Sequence, residues 1–131
     1  MLEYNIRQSG EVTIIDLKGP ITLGEALARG LQGAERTPGP RPVVVSDIIR
    51  KLLREGRRRI LLNLKNVTYI DSSGIGELVG AFTSVQGRGG QLKLLNPVAK
   101  VVNVLRIVRL DHLFPVETDE ATAIQSFALP G

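Results

Sequence analysis

The stretch Ile60-Leu61-Leu62-Asn63-Leu64, followed by Asn66-Val67-Thr68-Tyr69-Ile70 and then Asp71-Ser72-Ser73-Gly74-Ile75, decides how the chain is read. Its first five residues have the length and apolar character of a buried strand, and the next five lead into a turn. Beyond the turn Ile75, Leu78, Val79, Phe82 and Val85 recur at helical spacing, and Gly87, Gly89 and Gly90 supply a stop. Ser72 is therefore expected at or beside a helix N-cap, where a strand hands over to a helix.

The first backbone N–H groups of a helix lack internal partners and carry partial positive charge. Ser and Asp are ordinary caps at such a place, contributing about 1 kcal/mol. A phosphate is also tolerated there, and phosphoserine adds roughly −1.5 to −2 charges near neutral pH. The spacing by itself is compatible with plain capping and with a reversible charge switch at Ser72.

Working outward, Tyr4 to Gln8 and Val12 to Lys18 alternate loosely around Ser9-Gly10, the pattern of a hairpin. Val44, Val45, Ile48, Ile49, Leu52 and Leu53 trace one helical face ending at Gly56. Leu92 to Leu95 reads as a short strand. Val98, Val101, Val102 and Leu105 read as a helix with Asn96 as its cap and Pro97 at the first helical position. Leu113 to Val116 is a weak strand, placed at an edge because Pro115 cannot donate to a ladder. Asp119 to Phe127 closes the series as a helix. This alternation predicts a parallel or mixed sheet covered by helices.

One segment breaks the pattern. Glycines at 24, 30, 33 and 39 and prolines at 38, 40 and 42 crowd the region 24–42. A mobile surface loop is expected there, with a frayed helix over Glu25 to Arg36 as the most structure it supports.

The run Ile60 to Ile75 is similar to the signature of STAS domains, specifically the bacterial anti-sigma factor antagonists. Gly89-Gly90-Gln91-Leu92-Lys93-Leu94 and Asn96-Pro97 match further, and the likeness extends from about Leu2 to Phe127 around the insertion at 24–42. It implies an α/β fold: a STAS-like mixed β-sheet, an N-terminal hairpin followed by parallel strands, covered by about four helices. In that family the serine directly after the aspartate is phosphorylated by an anti-sigma factor that is also a serine kinase. Here that residue is Ser72, flanked by Asp71 and Ser73. The resemblance implies that the unphosphorylated antagonist captures the anti-sigma factor and frees a sigma factor, and that phosphorylation breaks the capture. Asp71, Ser72, Ser73, Gly74, Gly76 and Thr22 are the implied partner-binding positions, with Gly74 and Gly76 letting the partner come close to the helix start. A departure lies at Gly19-Pro20-Ile21-Thr22, where the best-known antagonists resemble Gly-Glu-Leu-Asp, so two carboxylates are missing. Other STAS domains keep the fold without being phosphorylated, which leaves a signalling scaffold or a nucleotide-sensing module as the alternative.

Composition agrees with a small interaction module. A chain of 131 residues with 43% hydrophobic residues suits one domain over 1–131. Cysteine is absent, which excludes disulfides and thiolate ligands. Neither a secretory leader nor a run of about 20 apolar residues is visible, so no membrane partner and a cytoplasmic location are expected. The net charge of +4 and a pI near 9.9 raise nucleic-acid binding. Arg50, Lys51, Arg54, Arg57, Arg58 and Arg59 hold much of that charge near one helix end, where cations also complement the helix dipole. The few aromatics, Tyr4, Tyr69, Phe82, Phe114 and Phe127, form no evident stacking platform, and direct nucleic-acid binding is not expected. The inventory also argues against an enzyme. His112 beside Asp111 is the only histidine, no metal cluster is visible, and neither glycine run is a P-loop, so no cofactor is expected. The expected oligomeric state is a monomer or a weak dimer.

Overall fold

A computed structural model of the chain describes residues 2–22 and 44–127. The elements run β1 (Glu3–Ser9), β2 (Val12–Ile21), α1 (Val45–Arg54), β3 (Arg59–Ile70), α2 (Ser72–Gly87), β4 (Gln91–Leu95), α3 (Ala99–Ile107), β5 (Val116–Glu117) and α4 (Glu120–Phe127). The Gly/Pro-rich insertion at 24–42 lies outside the described residues.

The five strands form one mixed sheet in the order β1-β2-β3-β4-β5. A two-residue turn at Gly10 and Glu11 folds β1 antiparallel onto β2, and Gly10 has φ +59, a conformation glycine adopts without steric cost. The remaining neighbours are parallel. Because each parallel crossover steps to the next strand in the same direction, crossovers of one hand put their helices on one face of the sheet. The burial follows that rule. Ile15 and Leu17 of β2, Ile60, Leu62 and Leu64 of β3 and Leu92 and Leu94 of β4 join residues from α1, α2 and α3 in the larger core. The alternate residues Val12, Ile14, Leu61 and Leu95 face the other way and are covered by Ala123 and Phe127 of α4. A sheet buried on both faces explains why β3 opens as an almost unbroken apolar run rather than an alternating one.

Strand β3 is a single 12-residue element, not a short strand followed by a lead-in. Past Leu64 its buried residues are Val67 and Ile70, three apart, because the β2–β3 register slips between Asp16 and Lys18 and again between Gly19 and Pro20. The β1 pairing ends at Lys18, so the last residues of β2 have a neighbour on one side only, which is where Pro20 is accommodated.

Two local expectations are corrected. The third helix begins at Ala99, with Val98 as its capping residue. Asn96 instead takes φ 50 and donates its N–H to the Glu117 carbonyl at 2.9 Å, ending β4 rather than capping α3. The last strand is only two residues long, Val116–Glu117 in place of the expected Leu113 to Val116, and lies at the edge of the sheet as expected. Pro115 lies just before it and uses its carbonyl to accept the Leu94 N–H at 2.9 Å.

The face under α4 carries one polar cluster. Arg7 grips Asp16 through Nε at 2.6 Å and Nη2 at 2.9 Å, and reaches Glu120 at 2.6 Å and 3.3 Å. Asn63 donates to the same Asp16 oxygen at 2.8 Å. Arg7 thus ties the edge strand to a central strand and to α4 together. Its hydrogen bonds, opposed by partial burial, hold the Asp16 carboxyl below its ordinary pKa of 3.8. A carboxylate with a depressed folded-state pKa contributes stability above its unfolded value, and that contribution is lost as pH falls through the lower folded value. With Arg7 39% and Asp16 27% exposed, solvent screening keeps the contribution modest. Asp16→Asn is expected to lower stability at pH 7 by about 1 kcal/mol and to flatten the acid limb below about pH 4. Urea melts of both proteins at neutral and acid pH check this.

Candidate functional site

Strands β2 and β3 end together, Ile21 opposite Ile70, and α2 starts immediately beyond. Asp71 is the N-cap residue of α2, in extended conformation, and its Oδ1 accepts the Gly74 N–H at 2.8 Å. Its carbonyl accepts the Ile75 N–H at 2.9 Å, closing the first helical turn. Ser72 is therefore the first helical residue, with Asp71 acting as the cap. Its side chain is exposed, Ser73 is half-buried, and Thr22 stands directly after the end of β2 at the same corner. The fold thus brings Thr22 to Asp71, Ser72 and Ser73, although Thr22 and Asp71 are far apart in sequence.

The two glycines of this turn differ sharply. Gly74 is buried, and a Cβ there would lie 2.0 Å from the Ile21 carbonyl oxygen and 2.8 Å from Cγ1 of Ile70. Its lack of a side chain is required by the chain's own packing, because the backbone at the end of β2 rests against the helix start. This differs from the expectation that Gly74 opens the helix to a partner. Gly76 is exposed, with open space where a Cβ would be.

Sequence reasoning passed over four further residues, Glu77, Lys18, Lys65 and Lys100. Glu77, one turn into α2, accepts the Ser46 N–H at 3.1 Å with its Oε2. Helix α1 has no side-chain cap of its own, its N-cap residue being Val44, so a carboxylate from α2 occupies the positive end of α1. The missing cap at Val44 was the only available signal. Lys18, Lys65 and Lys100 line one open groove with Gly19, Asn66 and Val98, and the Lys100 Nζ lies 5.8 Å from the Tyr69 ring centre. Those lysines are scattered in sequence, and only the parallel register, Lys18 opposite Asn66, gathers them.

The other candidates are located elsewhere. Lys51 and Arg54 occupy the last turn of α1, and Arg58 donates to the Arg88 carbonyl at 2.9 Å just past the end of α2. This basic cluster is at the far end of the 16-residue α2 from Ser72, about 24 Å along the helix. Arg59 is engaged with Glu11 at 2.8 Å. His112 is 94% exposed, 3.8 Å from Asp111. Among the described residues no group of three or more His, Cys, Asp or Glu could hold a metal ion, and no helix is long and apolar enough to cross a membrane.

The glycine geometry yields a paired test. Gly74→Ala is expected to destabilise the fold by about 1–3 kcal/mol, since the backbone of β2 must move to admit a methyl group. Gly76→Ala, in an open helical position, is expected to stabilise it by about 0.5–1 kcal/mol. Chemical denaturation of the two variants and the parent reads both signs. Equal effects would contradict the close contact between Ile21 and Gly74.

Comparison with known proteins agrees with this architecture. The STAS domain family model matches residues 3–123. The anti-sigma F factor antagonist of Paenibacillus polymyxa is 29% identical over 84 residues, covering 60% of this chain and 72% of that protein. The anti-sigma-B factor antagonist of Bacillus subtilis (strain 168) is 34% identical over 62 residues, 47% of this chain and 57% of that protein. The unphosphorylated form of the anti-sigma factor antagonist SpoIIAA superposes with a TM-score of 0.67 at 18% identity, covering 98% of this chain and all 100% of that one. Its phosphorylated form gives 0.62 at 18% identity, covering 95% and 99%. The likeness to SpoIIAA shows the fold, a mixed five-stranded sheet with a hairpin at its start. The family match spans nearly the whole chain, and the chain belongs to the STAS domain family.

Proposed function

We propose that this protein is an anti-sigma factor antagonist, switched by phosphorylation of Ser72 by an anti-sigma factor that carries serine-kinase activity. The observation that carries the reading is the division of labour at the start of α2. Asp71 provides the cap through its bond to the Gly74 N–H, so the Ser72 hydroxyl has no capping duty and stands exposed at the first helical position. Among the described residues, the N–H groups of Ser72 and Ser73 have no backbone acceptor. A phosphate on Ser72 would sit beside those N–H groups at the positive end of the helix dipole. The modification would thus change the surface while leaving the helix intact.

The curated relatives are named anti-sigma factor antagonists, which supports the same partner class here. Thr22, Asp71, Ser72 and Ser73 would form the contact surface, with Gly76 offering an approach free of side chain. Gly74 would serve the site indirectly, by letting β2 reach the helix start. Phosphorylation would add charge next to the Asp71 carboxylate, giving a strongly negative corner from which the partner is released by like-charge repulsion and desolvation. The protein acts as the substrate of its partner's kinase site and as a binding module, not as a catalyst.

Incubation with each serine-kinase anti-sigma factor encoded alongside it, followed by intact-mass analysis and site mapping, tests the proposal. One phosphate on Ser72 is expected, absent in Ser72→Ala, which retains capture of the partner. Ser72→Asp is expected to weaken capture about tenfold or more. Equal affinity of wild type and Ser72→Asp for the phosphorylating partner would remove the switch from the proposal.

A further inference from the structure

The two outer edges of the sheet are unlike. Strand β5 is two residues long and presents almost no free ladder. Strand β1 has seven residues, contains no proline, and pairs with β2 in one unbroken register from Glu3–Lys18 to Ser9–Val12. Natural sheets blunt exposed edges with short strands, proline, bulges or charged side chains, and of these devices β1 carries only the charges of Glu3 and Arg7. Among the described residues it pairs with β2 alone, so the backbone groups of alternate residues face outward. On the α1 face of this edge Tyr4 is 46% and Ile6 40% exposed, beside a groove floored by Ile48 and Leu52 of α1.

The residues of β1 are complementary to themselves. When two copies meet antiparallel about a two-fold axis through Asn5, Glu3 lies opposite Arg7 of the second copy, and Tyr4 lies opposite its Ile6. Each pairing then occurs twice, one joining opposite charges and the other an aromatic with a β-branched side chain, both stabilising kinds of cross-strand pair. An axis through Arg7 would instead set two guanidinium groups face to face, and an axis through Ile6 leaves Glu3 opposite Ser9. Arg7 can serve both roles. Four donor contacts hold it to Asp16 and Glu120, a guanidinium has five N–H donors, and its side chain remains 39% exposed.

We infer that β1 is a homodimerisation edge, joining two copies antiparallel about Asn5 into a continuous sheet. The interface lies on the opposite side of β2 from β3 and its α2 handover, so it rests on different residues from the proposed phosphorylation switch.

The absence of cysteine makes the register directly readable. Residues opposed across an antiparallel pair have Cα atoms about 4.5–5.5 Å apart, inside the roughly 4.4–6.8 Å that a disulfide spans. Asn5→Cys on the axis is expected to form a covalent dimer on mild oxidation, several-fold faster than Ile6→Cys or the exposed helical control Thr83→Cys. In sedimentation velocity at about 100 μM the unmodified protein is expected to run as a dimer, and Glu3→Lys to raise the dissociation constant about tenfold by opposing Arg7 with a like charge. A wild type that stays monomeric up to millimolar concentration overturns the inference. So does faster cross-linking through Ile6→Cys or Thr83→Cys, or a dimer indifferent to Glu3→Lys.

Discussion

The contact on which the β3–α2 corner of this protein depends is that between the Ile21 carbonyl oxygen and the space where Gly74 has no side chain. It lets β2 and β3 end side by side and α2 begin directly over them. Asp71, Ser72 and Ser73 then fall on the exposed turn of the helix while Ile75 and Leu78 enter the core. A larger residue at position 74 would move the end of β2 outward, and Thr22 with it. Surface hydroxyls and a carboxylate stand at this corner, and their relative placement is determined by a buried glycine.

Around that corner the helices are held by groups from their neighbours as much as by their own ends. Glu77 of α2 supplies the side-chain cap that α1 lacks, coupling the two helices one turn away from Ser72. On the opposite face of the sheet, Arg7 and Asp16 bind the hairpin to α4 through Glu120. These polar ties are half-exposed and individually small. The larger share of the stability lies in the fully buried aliphatic residues of β2, β3 and β4, of which Ile15, Ile60, Leu61, Leu62 and Leu94 are wholly removed from solvent.

The distribution of basic residues also acquires meaning from the fold. Arg54 and Lys51 complement the negative end of α1, at the far end of α2 from Ser72. A different set, Lys18, Lys65 and Lys100, flanks the groove near the strand ends. Net charge alone does not separate these two groups, because it carries no information about position.

Much of the architecture was legible in the residues themselves. The helical repeat from Ile75 to Val85, the apolar face from Val45 to Leu53 and the buried run at Ile60 are periodic signals. Periodicity registers which side of an element is dry, so the order of elements and the mixed sheet follow from it. The cap at Asp71 was also readable to within one residue, since capping is a local hydrogen bond. What the sequence left undecided is non-local. Whether Gly74 serves a partner or an internal contact, which carboxylate caps α1, where Asn96 directs its N–H, and which lysines meet in a groove all depend on groups distant in the chain. Those pairings arise only when the β2–β3 register and the crossover hand bring separate segments within hydrogen-bond or van der Waals distance, and tertiary packing alone decides them.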